Sequence, residues 1–144
     1  MYNHPRNNAK FTKNLAASLG RKPFVADKQG VYRLTIDKHL VMLAPHGSEL
    51  VLRTPIDAPM LREGNNVNVT LLRSLMQQAL AWAKRYPQTL VLDDCGQLVL
   101  EARLRLQELD THGLQEVINK QLALLEHLIP QLTPFSVASR VGWN

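Results

Sequence analysis

A chain of 144 residues, 45% of them hydrophobic, is long enough for one domain with its own core and too short for two full ones. The single cysteine, Cys95, excludes an internal disulfide and a cysteine-rich metal cluster. No apolar run approaches the roughly 20 residues of a membrane span, and no charged start leads into an apolar signal core, so a soluble, cytoplasmic protein is expected.

Residues 1–8 are polar and aperiodic and are read as a flexible N-terminal segment ahead of one domain over 9–132. From Ala9, the fourfold recurrence of Phe11, Leu15 and Leu19 predicts a short amphipathic helix that Gly20 and Pro23 stop. In Val31 to Asp37 apolar and polar positions alternate, and Asp37-Lys38 reads as a tight turn into a second, almost wholly apolar strand, His39 to Ala44. Pro45-His46-Gly47-Ser48 turns the chain into a third strand, Glu49 to Thr54, completing an antiparallel meander. Pro55, Pro59 and Gly64-Asn65-Asn66 mark a connecting loop.

Asn68 is the expected cap of a helix to Tyr86 that Pro87 ends. At 100° per residue, Leu71, Leu72, Leu75, Met76, Ala79, Leu80, Trp82, Ala83 and Tyr86 cover roughly half its circumference, where a stripe of about 100° suffices to seat a helix on its core. The excess reads as a surface for another chain. Thr89 to Asp93 and Leu98 to Leu106 predict a hairpin around Asp94-Cys95-Gly96. Asp110 or Thr111 caps a last helix, with Leu114, Val117, Ile118, Leu122, Leu125, Leu128 and Ile129 on its apolar face, that ends near Pro130. Residues 133–144 read as an irregular tail containing Phe135 and Trp143. The order helix, three strands, helix, two strands, helix is that of an α+β domain with helices packed on a twisted antiparallel sheet.

No constellation for chemistry emerges. The five histidines fall on different elements without metal-ligand spacing. Cys95 sits in a turn between Asp94 and Gly96, the setting of a turn residue rather than of a nucleophile with a neighbouring base. Asp93 and Asp94 are adjacent, so on a strand they point to opposite faces. There is no phosphate loop, nucleophile elbow or HExxH motif, and no catalytic, cofactor or metal site is expected. A net charge of +5 favours an acidic partner or a polyanion. The alternative reading is therefore a small basic nucleic-acid-binding α+β protein using Arg33, Arg53, Arg103 and Arg105 on one sheet face, although Tyr32 is the one aromatic residue on a predicted strand and stacking partners are not interleaved among the arginines.

The element order resembles the class I chaperones of type III secretion over about Ala9 to Ile129. The runs Asn14-Leu15-Ala16-Ala17-Ser18-Leu19-Gly20-Arg21-Lys22-Pro23-Phe24 and Leu92-Asp93-Asp94-Cys95-Gly96-Gln97-Leu98-Val99-Leu100-Glu101 are similar to a member that works as half of a heterodimer. The resemblance implies pairing with a second chaperone through the second helix, at Leu71, Leu72, Leu75, Met76, Ala79, Leu80 and Trp82. It also implies that a non-globular segment of a secreted client lies on the first helix and the sheet, at Phe11, Leu15, Leu19, Tyr32, Leu34, Ile36 and Val41, sometimes adding a strand to a sheet edge. Members are usually acidic. The +5 charge of this chain accordingly points to an acidic homologue as its partner, in the cytoplasm and with peripheral association at the secretion apparatus.

Overall fold

The computed structural model describes residues 25–62 and 66–132. The segment 1–8, the expected first helix with Phe11, Leu15 and Leu19, and the tail 133–144 lie outside the described residues. The elements are β1 (Tyr32–Ile36), β2 (His39–His46), β3 (Glu49–Ile56), a single 3-10 turn (Pro59–Arg62), α1 (Asn66–Trp82), β4 (Thr89–Leu92), β5 (Leu98–Arg105) and α2 (Thr111–Leu132), with a second 3-10 turn (Leu106–Glu108) leading into α2. All strand pairs are antiparallel, in the spatial order β1-β2-β3-β5-β4, so β1 and β4 are the edges. This is the α+β architecture that the sequence predicts.

Local chemistry sets the turns. Asp37 and Lys38 both take positive φ, 50° and 72°, the geometry of a two-residue hairpin whose twist matches its strands. In the β4–β5 turn the Asp93 carboxylate accepts from the backbone N–H groups of Cys95 (2.9 Å) and Gln97 (2.8 Å), while Gly96 supplies φ 77°. Asp93 is thus a turn former, and Cys95 is exposed at the tip. Asp110 caps α2, its carboxylate accepting from the N–H of Gly113 at 2.7 Å.

The ends of α1 differ from those expected. Asn68 lies inside α1, which starts two residues earlier, so it is not the cap. The helix stops at Trp82 rather than Tyr86, because the Trp82 carbonyl accepts from both Arg85 N (2.8 Å) and Tyr86 N (2.9 Å), closing a final turn. The last helix ends near Pro130 as expected, running two residues past it to Leu132. One further half-turn survives because Leu132 is buried and Gln131 is held across to α1.

Period-two alternation in the strands gives the sheet one apolar face, and both described helices cover it. Toward β1 and β2, Tyr32, Leu34, Ile36, Val41, Leu43 and Leu52 pack with Leu114 and Ile118 of α2. Toward β4, Ile56, Leu98 and Leu100 pack with Leu75 and Trp82 of α1 and with Leu124, Leu125, Leu128 and Leu132 of α2. Buried amides fix how α2 crosses the strands. Gln121 donates to the Thr54 hydroxyl (3.1 Å) and the Leu100 carbonyl (3.0 Å), and Thr54 donates on to the Leu40 carbonyl (2.7 Å), linking α2 to three strands. Gln88 donates to the Val117 carbonyl (3.0 Å), while its own carbonyl accepts from the Trp82 indole (2.9 Å). Gln78 and Gln131 form a reciprocal amide pair at 2.7 and 3.0 Å that clasps α1 to α2.

Candidate interaction surfaces

The broad apolar arc of α1 divides into two stripes. The inner stripe serves the chain's own core: Leu75 is 1% exposed and Trp82 5%, with Leu71 and Ala79 half-buried against the same cluster. The outer stripe remains open. Val69 is 57% exposed, Met76 59% and Leu80 76%, with half-buried Leu72 between them. Positions 69, 72, 76 and 80 recur at three and four residues and so line up along the helix. Of the residues expected at a partner contact, Met76 and Leu80 are thus presented outward and Leu72 partly so, whereas Leu75 and Trp82 are committed inward. Val69 completes the row, and its spacing from Leu72 and Met76 was the signal for it.

From Asn66 to Tyr86 the chain carries no aspartate or glutamate. Arg73 and Lys84, both exposed, stand along the same flank of the outer stripe as Leu80. An apolar strip bordered by cations on a segment without any acid is complementary to a partner bearing carboxylates there.

The expected client residues on the sheet do not form a surface. Tyr32, Leu34, Ile36 and Val41 are all buried in the core cluster beneath α2, because they occupy the inward side of the pleat. β1 is an edge of the five-stranded sheet. Among the described residues, Ala26 bridges to Tyr32 at its outer edge. Asp27 shapes that entry, accepting from Gln29 N (2.8 Å) and Val31 N (3.0 Å) and pairing with Arg33. The Val31 bond, reinforced by Arg33, holds the Asp27 carboxyl below its ordinary pKa. At the other edge β4 is four residues long, and Leu92 is 43% exposed.

The opposite sheet face bears the four arginines named for nucleic acid, and register does place them together: Arg33 and Arg53 both pair with Met42, and Arg103 and Arg105 lie on β5. Each has a carboxylate partner. Arg33 pairs with Asp27, Arg53 with Glu101 (3.4 Å), Arg103 with Glu49 (3.6 Å) and Glu101 (3.5 Å), and Arg105 with Glu108 (3.9 Å). Such a face lacks the unbalanced cations that phosphate contacts require. Among the described residues no three His, Cys, Asp or Glu side chains converge to hold a metal, and no helix is long and apolar enough to cross a membrane.

Residues 10–129 match the Tir chaperone protein (CesT) family. The chain is similar to the chaperone protein YscB of Yersinia enterocolitica, with 98% identity over 132 residues that cover 92% of this chain and 96% of that protein. In fold it is similar to a chain of the ExsC-ExsE complex (TM-score 0.71, 17% identity, covering 89% of this chain and 95% of that one). It also resembles a chain of the complex between the Yersinia pestis type III secretion chaperone SycH and a fragment of YscM2 (TM-score 0.60, 21% identity, covering 83% and 98%). This chain belongs to the CesT family and is a type III secretion chaperone.

Proposed function

We propose that the chain works as one half of a heterodimeric secretion chaperone, docking the outer stripe of α1 against an acidic homologue of the SycN type. The observation that supports this most is the row Val69, Leu72, Met76 and Leu80, left outside a core that α1 has already completed with Leu75 and Trp82. An antiparallel self-pairing centred between Met76 and Leu80 would set Arg73 of each copy beside Lys84 of the other. Like charges disfavour that arrangement, whereas glutamate or aspartate on a partner helix relieves it.

The assembled pair holds a non-globular segment of a secreted client, of the YopN type, in extended form. The edge of β4 supplies backbone hydrogen bonds for an added strand, and the helix expected over Phe11, Leu15 and Leu19 supplies apolar contact. The client side chains do not reach Tyr32, Leu34, Ile36 or Val41, which the core retains. Binding involves no chemistry: ordering the client's chain opposes the gain from contacts, leaving it held but releasable. The complex resides in the cytoplasm and meets the secretion apparatus peripherally at the inner membrane.

Co-expression with a SycN-like chain followed by affinity capture and light scattering tests the pairing. A stable 1:1 complex is expected, and a monodisperse monomer indifferent to that chain would refute it.

A further inference from the structure

On the side of α1 away from the outer stripe, α1 and α2 leave a groove of about 310 Å³. The helices run antiparallel along it. The Gln78–Gln131 clasp closes one end, where the His127 ring nitrogen Nε2 also meets Gln78 Oε1 at 3.0 Å. At the other end Lys120 Nζ stands 5.8 Å from the centre of the Tyr86 ring. Between them the gap exists because two exposed alanines, Ala81 and Ala123, line it where larger side chains would fill it. Trp82 and Leu124, both nearly buried, supply its apolar floor, and Arg85 stands exposed on its wall. Among the described residues no carboxylate lines it.

We infer that this groove is a second client-binding site, taking a short acidic stretch whose one bulky apolar side chain enters between Ala81 and Ala123 while flanking carboxylates meet Arg85 and Lys120. The assignment rests on the client-binding reading above. A volume of about 310 Å³ holds one leucine or aromatic side chain with room for its backbone. The wall's charge selects for acid and against base. Ala81 stands about 100° round the helix from Leu80, so the groove stays accessible when a partner covers the outer stripe.

The test uses the full chain, carbon-labelled at alanine methyls, titrated with acetyl-Gly-Asp-Leu-Phe-Glu-Asp-Gly-amide and, separately, with acetyl-Gly-Lys-Leu-Phe-Lys-Lys-Gly-amide. Saturable shifts at the Ala81 and Ala123 methyls are expected with the acidic peptide, with at least tenfold weaker binding of the basic one. Ala123→Leu, which fills the groove, and Arg85→Glu should each weaken binding at least tenfold, while Arg85→Lys stays within about threefold. Circular dichroism checks that Ala123→Leu is folded; if it is not, the two Arg85 variants decide. Equal response to both peptides, shifts confined to other methyls, or indifference to both Ala123→Leu and Arg85→Glu would overturn the site. Retention of a YopN-like client is measured in parallel by pull-down. A retained client without peptide shifts refutes the groove alone, and peptide shifts without any retained client refute the broader reading.

Discussion

Asp27 shows how one carboxylate organises the entry to an edge strand. Its hydrogen bond from Val31 and its pairing with Arg33 favour the charged form, so its folded pKa lies below the unfolded one. The stabilisation is therefore present above the unfolded pKa, near 4, and is lost as the pH falls through the lower folded value. Asp27→Asn should lower the melting temperature at pH 7, and the gap from the unsubstituted chain should shrink toward pH 2. Lys38 offers the opposite case, a residue with a side chain in left-handed backbone at φ 72°. Since only glycine adopts that region without strain, Lys38→Gly is expected to raise stability by about 0.5–1 kcal/mol, read by urea denaturation. That Asp37-Lys38 makes a tight turn was legible from its position between two strand patterns. The bonds of Asp27 were not, because they depend on a loop folding back toward Arg33.

At the scale of the element, α1 carries two apolar stripes that periodicity merges into one arc. Sequence spacing reports which side chains share a face, but not which neighbour meets them, so Leu75 and Met76 looked equivalent although one is sealed and the other open. Their substitutions should separate cleanly. Met76→Asp and Leu80→Asp should leave the melting curve nearly unchanged and weaken capture of the acidic partner by about 2–3 kcal/mol, on the order of a hundredfold. Leu75→Asp and Trp82→Asp should instead destabilise the monomer itself, a loss visible without any partner. Gln77→Asp should be mild in both assays. Arg73→Glu combined with Lys84→Glu should weaken the acidic partner and permit a mixed dimer with the unsubstituted chain, detectable by native mass spectrometry. The clasp of Gln78 with Gln131 could not be read from the sequence, since Gln78 lies in the polar half of α1 and its partner stands 53 residues away.

For the whole molecule, the strand and helix order was legible because each segment has a clear period and each turn carries its own chemistry. The placement of β5 between β3 and β4 follows from pairing over eight residues, from Glu49 with Arg105 to Ile56 with Leu98, which no local pattern announces. The client surface was the part least visible. The resemblance implies a client contact at Tyr32, Leu34 and Ile36 of β1, yet an alternating strand has only one apolar side, and α2 occupies it. The helix over that face is held by Leu125, which is fully buried, so Leu125→Ala should cost about 2–5 kcal/mol of stability and take the binding surfaces with it, as seen in a lowered urea midpoint.

Of the two edge strands, β4 spans only Thr89 to Leu92. A long, flat, unpaired strand invites stacking of further copies into fibrils, a particular hazard for a protein proposed to bind its client at a sheet edge. Four residues give an incoming chain a few backbone bonds, enough to add to other contacts but too few to propagate a sheet from molecule to molecule. The shortness of β4 thus lets the molecule offer a template without becoming the seed of its own aggregation.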